Sequence, residues 1–170
     1  PISIYGADKL AVEQYLYVFH RDYGLKAVCL RYANVYGPRQ NPFGEAGVVA
    51  IFTNRMLEGK PAFINGDGLQ TRDYLYVGDV ARMNSLALDL EGFHIFNVGT
   101  GIETDVVTLY DKLYELTGAN QTRVYGSAQP GEQLRSCIDS SHARTCLNWQ
   151  PEIGLDGGLD RTVAWFRKTR

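Results

Sequence analysis

Residues 1–9 read Pro-Ile-Ser-Ile-Tyr-Gly-Ala-Asp-Lys, which places Tyr5 and Lys9 four residues apart at the start of a segment with helical apolar spacing. Residues at this separation share one helix face, about one turn apart. A free phenol has a pKa near ~10, so a tyrosine that acts as a base near neutral pH needs a neighbour, such as an ammonium, that favours the phenolate. The same spacing is also compatible with a surface lysine beside a packed tyrosine.

Helical and strand patterns alternate along the rest of the chain, which predicts the α/β class. The predicted helices cover about residues 5–23, 46–58, 78–90, 104–117, 140–147 and 155–167. The predicted strands cover about residues 26–32, 63–65, 74–77, 94–98 and 123–125. Apolar residues occupy more than one stripe of the first helix, so we expect it to be buried on two sides. Asp79 is expected near the positive end of the third helix.

The segment 34–42 contains two prolines and a glycine and is predicted to be a loop. It follows the predicted strand 26–32. Open α/β folds bind ligands in loops that leave the carboxyl ends of their strands. The glycines at 99 and 101 are expected to let the backbone approach a ligand or a neighbouring segment closely. Both regions are therefore candidate binding elements.

Composition limits the classes of function. The 170 residues are 45% hydrophobic and 21% charged, enough for one good core, and the net charge of -2 offers no field that would recruit nucleic acid or an anionic membrane. Apolar runs stay below the roughly 18 to 20 residues that span a bilayer, and no leader pattern is seen, so we expect the cytoplasm. The cysteines Cys29, Cys137 and Cys146 are odd in number and lack metal-ligand spacing, which predicts reduced packing residues and no metal site.

Further motifs accompany the Tyr-x-x-x-Lys pair. Pro1, Ser3 and Gly6 surround it, Leu-Arg-Tyr-Ala-Asn-Val-Tyr-Gly-Pro follows at 30–38, and Arg-Asp-Tyr occurs at 72–74. With these motifs the chain resembles the extended short-chain dehydrogenase/reductase family, and within it the NAD-dependent sugar-nucleotide epimerases, with UDP-glucose 4-epimerases as the nearest group. The resemblance covers essentially all 170 residues. It implies the C-terminal part of a Rossmann-type fold, with the last sheet strands plus the smaller substrate-binding domain.

The resemblance also implies a division of the chain. Residues 1–34 and 78–101 would be a remnant of the dinucleotide-binding domain, and residues 35–77 and 102–170 the sugar-nucleotide-binding domain. In the family the Tyr-x-x-x-Lys helix lies near mid-chain, after a long dinucleotide-binding half with a glycine-rich turn for the pyrophosphate and a Ser or Thr catalytic partner. Neither feature has a counterpart here. Gly-Thr-Gly at 99–101 is not the glycine-rich turn, because it comes late and lacks the third glycine. We therefore expect no tight NAD binding by this chain alone.

By the same resemblance, Tyr5 and Lys9 are the catalytic pair and contact the NAD cofactor, together with Tyr32 and Ala33. The implied substrate-binding residues are Asn34 and Arg72 for the phosphates, Glu132 for a ribose hydroxyl, and Gly47, Val48 and Asn65 around the uridine. No metal ligand is implied.

Other roles stay open for these substrate-side residues. Asn34 is also compatible with a turn residue that bonds its own backbone, and Arg72 with an ion pair to Asp67 or Asp73. Gly47, Val48 and Asn65 are equally compatible with packing. Gln129 stands where many relatives of the family carry an arginine, which removes one phosphate contact. The small Ser136 leaves both plain and N-acetylated hexoses open as substrates.

The implied function is NAD-dependent epimerisation of a UDP-sugar at C4, of the UDP-glucose/UDP-galactose type. We expect a homodimer, formed through the first helix or through the exposed edge of the sheet. We expect the 170-residue chain to be inactive alone. One alternative is a nucleotide-sugar 4,6-dehydratase or decarboxylase of the same fold. Another is a non-catalytic, truncated remnant that binds a sugar nucleotide or a partner chain.

Overall fold

The computed structural model describes residues 3–43, 47–128 and 131–169. Its helices are α1 (Ile4–Tyr23), α2 (Val48–Leu57), α3 (Val77–Ala87), α4 (Val106–Thr117), α5 (Ser141–Leu147) and α6 (Leu155–Lys168). Its strands are β1 (Ala27–Tyr32), β2 (Asn34–Tyr36), β3 (Phe63–Asn65), β4 (Thr71–Tyr76), β5 (Phe93–Val98), β6 (Glu103–Asp105), β7 (Val124–Gly126) and β8 (Arg135–Ser136). The predicted α/β class is confirmed.

The ends of α1 follow from local chemistry. Ser3 Oγ accepts a hydrogen bond from the Gly6 amide at 3.1 Å, which satisfies one of the free N–H groups of the first turn. Gly24 ends the helix with φ at 69°, the left-handed conformation that glycine adopts without a steric penalty. Tyr5 therefore lies in the first turn of a helix with defined ends.

β4 is the strand around which the sheets are arranged. It pairs with β2 and β8 in parallel and with β6 in antiparallel orientation, while β1 pairs with β5 and β3 with β7. Successive side chains of a strand point to opposite faces. Tyr74 and Tyr76 accordingly join the apolar cluster formed with α2, α4 and α6, whereas Leu75 joins the cluster formed with β5, α3 and Trp149. The two-domain division predicted from the sequence stays a prediction.

Asp73 of β4 makes the most extensive buried polar contact of this region. Its carboxylate is 1% exposed and accepts hydrogen bonds from the Thr100 amide and hydroxyl and from the Gly101 amide at 2.6–3.0 Å. The Ile138 amide lies 3.4 Å away. A Cβ atom on Gly99 would lie 2.5 Å from Asp73 Oδ2, so only glycine fits there. The close approach predicted for residues 99–101 is thus to Asp73.

Several predicted boundaries are wrong. Asn34–Tyr36 is a strand, β2, where a loop was expected, because it pairs with β4. β4 begins at Thr71, three residues earlier than predicted, and Val77 belongs to α3. The short strands β6 and β8 were not predicted, since each is defined by pairing with β4.

One predicted environment differs, and a second residue makes an additional contact. The large apolar residues of α1 are mostly exposed, with Val12 at 52% and Phe19 at 52%, so the described residues do not bury the helix on two sides. Asp79 is buried and accepts hydrogen bonds from the Glu152 and Ile153 amides, so it binds a loop in addition to lying near the start of α3.

Cys137 and Cys146 are exposed, and among the three cysteines only Cys29 is partly buried in packing. In the described part of the chain, no helix has both the length and the apolar composition needed to cross a membrane.

We predict that Asp73→Asn lowers the free energy of unfolding by about 3 kcal/mol, because an NH₂ group then faces N–H donors and a charge-assisted acceptor is lost. Urea denaturation monitored by circular dichroism measures this change. Asp89→Asn, at an exposed position, is the control and should stay within about 0.5 kcal/mol of the wild type. Equal stability of the two variants would contradict the role given to Asp73.

Candidate functional site

The first candidate region is a cleft of about 620 Å³ between α1 and β1. Its lining includes Tyr5, Lys9, Tyr32 and Ala33, the four residues predicted as catalytic or cofactor-binding. Residues from the start of the helix and from the end of the strand meet here, because α1 packs along β1. The structure thus brings this predicted set together, and the role of each residue stays a prediction.

Tyr5 and Lys9 lie on one face of α1, as their spacing predicts. Lys9 Nζ lies 5.1 Å from the centre of the Tyr5 ring. A cation at this distance from an aromatic ring is attracted to it electrostatically. Tyr5 is 72% exposed and borders the cleft, so its phenol is accessible to a ligand there.

An ion pair that sequence analysis missed fixes α1 against β1. Arg31 donates to both carboxylate oxygens of Glu13, at 2.7 and 2.5 Å, and Glu13 is buried. The hydrogen bonds from Arg31 lower the pKa of Glu13 and outweigh the opposing effect of burial. Glu13 follows Lys9 by four residues, so positions 5, 9 and 13 share a helix face. This spacing is the sequence feature that indicates that Glu13 lies on the same face of α1 as Tyr5 and Lys9.

Tyr32 and Ala33 are held at the end of β1. The Tyr32 hydroxyl donates to Asn84 Oδ1 at 3.1 Å, and burial raises the pKa of Tyr32 while this hydrogen bond lowers it. The Ala33 amide donates to the Val98 carbonyl at 2.9 Å. Both residues are thus fixed to neighbouring elements beside the cleft.

The second candidate region is one face of the sheet around β4. In register, Asn34 of β2 lies opposite Tyr74, and Arg72 lies opposite Thr104 of β6 and Ser136 of β8. Registered partners and residues two apart in a strand share a face. Asn34 and Arg72, predicted as phosphate contacts, therefore lie on the same face.

A small cavity of about 20 Å³ adjoins this face. Its lining includes Asn34, Gln40, Gly47, Val48 and Tyr74. Gly47 precedes α2 and Val48 begins it, so the start of that helix closes the cavity opposite β2 and β4. Three predicted substrate-binding residues are thereby brought together.

Arg72 pairs with Glu132, another predicted substrate-binding residue. Arg72 Nη2 donates to Glu132 Oε1 at 3.0 Å, and Nη1 donates to the Thr71 carbonyl at 2.8 Å. The Arg72 side chain is 16% exposed. A guanidinium has five N–H donors, and these two bonds leave three for a ligand. The alternative ion pair to Asp67 or Asp73 is not formed.

A second ion pair fixes β8, the strand that follows Glu132. Glu103 accepts a hydrogen bond from Thr71 Oγ1 at 2.5 Å and from Arg135 at 3.0 and 2.5 Å. These contacts lower the pKa of Glu103 to about 2, and the hydrogen bonds from Arg135 have the largest effect. The segment that carries Glu132 is thus attached to β4 and β6.

Asn65 does not join either group. It ends β3 opposite Gly126 of β7, and its carbonyl accepts a hydrogen bond from Gln70. The prediction for Gln129 falls outside the described residues.

The chain matches the family model described as "NAD dependent epimerase/dehydratase family" over residues 1–99. A crystal structure of UDP-glucose 4-epimerase with UDP-glucose from Thermotoga maritima is 51% identical, with a TM-score of 0.96, over 99% of this chain and 55% of that chain. A complex of the Thermus thermophilus UDP-glucose 4-epimerase with NAD is 42% identical, with a TM-score of 0.93, over 100% of this chain and 56% of that chain.

Among curated relatives, the UDP-glucose 4-epimerase of Mycolicibacterium smegmatis is 42% identical over 171 residues, which covers 98% of this chain and 54% of the relative. The chain therefore spans about half the length of the curated relatives it matches.

We predict that the Glu103 contacts stabilise the fold in a pH-dependent way. The pKa of Glu103 lies at about 2 in the folded chain and at 4.5 ordinarily, so the stabilisation is fully present above pH 4.5 and is lost as the pH falls towards 2. The Tm of the wild type should exceed that of Glu103→Gln at pH 7, and the difference should shrink as the pH is lowered below 4.5. Calorimetry at stepped pH measures it.

Arg135→Ala is the matched variant, because it removes the ion-pair partner of Glu103. In the Arg135→Ala background, the Glu103→Gln change should alter the Tm much less at pH 7 than it does in the wild type. A difference between wild type and Glu103→Gln that stays constant down to about pH 3 would contradict the assignment.

Proposed function

Because the chain belongs to the NAD-dependent epimerase/dehydratase family, we propose that it forms the sugar-nucleotide side of an enzyme that epimerises a UDP-sugar at C4, of the UDP-glucose/UDP-galactose type. The observation that carries the proposal is the shared sheet face of Asn34 and Arg72, with Glu132 bonded to that arginine. The similar Thermotoga maritima enzyme was crystallised with UDP-glucose.

In this proposal the diphosphate of the nucleotide binds at Arg72. Its planar guanidinium matches phosphate oxygens in a bidentate manner. Glu132 and the Thr71 carbonyl hold the group in position and still leave N–H donors for the ligand. Asn34 offers a side-chain amide from the adjacent strand, and Gly47 and Val48 close the neighbouring cavity.

The cleft between α1 and β1 is the proposed place of the chemistry. The Tyr5 phenol and the Lys9 ammonium fit the nicotinamide ribose of NAD, with Lys9 binding the ribose. Tyr32 and Ala33, at the end of β1, lie beside the nicotinamide ring in this proposal. When bound, NAD supplies the hydride acceptor and donor for C4 of the sugar. Tyr5 Oη removes the proton of the 4-hydroxyl and later returns it, and the Lys9 ammonium lies beside the Tyr5 ring on the same helix face.

Two alternatives remain distinct. The family includes dehydratases, and a 4,6-dehydratase of this fold would need a further acid/base pair in addition to Tyr5. A non-catalytic chain would bind the sugar nucleotide without turnover. The homodimer and the cytoplasmic location stay predictions.

We predict that the chain binds UDP and that Arg72→Ala raises the Kd by about tenfold or more, because hydrogen bonds to a charged group are lost. Isothermal titration calorimetry with UDP measures the Kd. Arg144→Ala, at an exposed position on α5, is the control and should leave the Kd unchanged. If the wild type bound no UDP, or if both variants behaved alike, the proposal would fail.

We also predict no interconversion of UDP-glucose and UDP-galactose when the 170-residue chain is mixed with NAD, since these residues contain no glycine-rich turn for the pyrophosphate. Chromatography of the UDP-hexoses after prolonged incubation checks this outcome. Clear turnover by a verified pure sample would contradict it. A 4-keto-6-deoxy product would instead favour the dehydratase.

A further inference from the structure

The side chain of Tyr74 places a polar hydroxyl group in a buried position. Tyr74 is 5% exposed, and its Oη has no hydrogen-bond partner among the residues that the structure describes. A buried hydroxyl without a partner loses its hydrogen bonds to water and destabilises the fold. Such a group in a native protein calls for a specific reason, and a ligand is one.

The position of Tyr74 indicates which ligand. Tyr74 lies directly opposite Asn34 of β2 and two residues from Arg72 in β4, so the three residues share one face of the sheet. It also borders the small cavity together with Asn34, Gly47 and Val48. The unpartnered hydroxyl therefore belongs to a residue that adjoins several of those proposed for binding the sugar nucleotide.

Tyr74 also borders a second cavity, of about 160 Å³. That cavity is lined by Tyr74, Thr100, Ile102, Thr104, Pro151, Ile153, Gly154 and Leu155. Neither threonine donates to or accepts from the Tyr74 hydroxyl in the described contacts. None of the residues that line this second cavity has a charged or amide side chain, whereas Asn34 and Arg72 share the sheet face of Tyr74.

The charge state of Tyr74 indicates the direction of its hydrogen bond. Burial raises the pKa of Tyr74 to about 12, with Arg72 opposing this effect and Asp105 and Glu132 adding to it. The phenol is therefore protonated at neutral pH and can donate.

We propose that Tyr74 Oη donates a hydrogen bond to a diphosphate oxygen of the nucleotide that binds at Arg72. This inference rests on the proposed function and adds a binding residue to it. The phenol offers a neutral donor to an anionic oxygen beside the Arg72 guanidinium. The free protein leaves the donor unpaired, so the bond forms only when the nucleotide is present.

Neighbouring Tyr36 provides a matched comparison. It packs edge-to-face against Tyr74, with ring centres 6.4 Å apart, and it is similarly buried. Its hydroxyl, however, donates to the Leu155 carbonyl at 3.2 Å. Removal of the Tyr36 hydroxyl therefore deletes a hydrogen bond within the fold, whereas removal of the Tyr74 hydroxyl deletes none among the described residues.

The experiment compares Tyr74→Phe and Tyr36→Phe in the 170-residue chain, with UDP and uridine as ligands and with Tm as a second readout. Tyr74→Phe should raise the Kd for UDP by about tenfold or more, leave the Kd for uridine unchanged and not lower the Tm. Tyr36→Phe should lower the Tm by about 2–4 °C and leave the Kd for UDP unchanged.

The outcomes separate this inference from the proposed function. Absence of UDP binding by the wild type would overturn the proposed function and the inference with it. If Arg72→Ala weakened UDP binding while Tyr74→Phe bound UDP like the wild type, only the inference would be overturned. A lowered Tm for Tyr74→Phe, or an equal loss of affinity for UDP and uridine, would also overturn it.

Discussion

The buried carboxylate of Asp73 is the constraint on which the arrangement around β4 depends. A charge removed from water is stable only when hydrogen-bond donors surround it. Here the donors come from the turn after β5 and from the Ile138 amide, so β4 is joined to two segments that are distant in sequence. Because side chains alternate along a strand, fixing Asp73 on one face directs Arg72 and Tyr74 to the other.

The same kind of contact fixes the cleft between α1 and β1. Glu13 is the one buried residue of α1 among those the structure describes, and its bidentate bond to Arg31 joins the helix to β1. The apolar residues of α1 remain largely exposed in this chain, so packing alone positions the helix weakly. The orientation of Tyr5 and Lys9 towards the cleft therefore depends on an ion pair one turn further along the helix.

Sequence reasoning succeeded where the signal is local. The i, i+4 spacing of Tyr5 and Lys9, the glycine after α1 and the apolar run of β1 each depend on a few neighbouring residues. The strands β2, β6 and β8 are only two or three residues long and exist because they pair with β4, which no local pattern records. For the same reason the sequence could not identify Glu132 as the partner of Arg72, 60 residues away.

The sequence contains a local signal for the position of Tyr74. Tyr74 follows Arg72 by two residues in a strand, so the alternation of side chains alone places both on one face. What the sequence could not show is that its hydroxyl is buried without a partner among the described residues, since that depends on segments from β2 and α2. The structural context, and not the residue type, separates Tyr74 from the similarly buried Tyr36.

The electrostatics of the substrate face explain why a neutral donor is useful there. The positive charge of Arg72 is already balanced by Glu132, so the face offers a diphosphate little net charge. Recognition must then come from well-placed N–H and O–H groups, which bind an anion through geometry and exclude water from it. A protonated phenol is such a group, because burial keeps its proton in place and the neighbouring carboxylates strengthen that effect. In the proposed function, the pairing of Arg72 with Glu132 and the Tyr74 hydroxyl, unpartnered among the described residues, serve one requirement, which is to hold an anionic ligand on a face without excess charge.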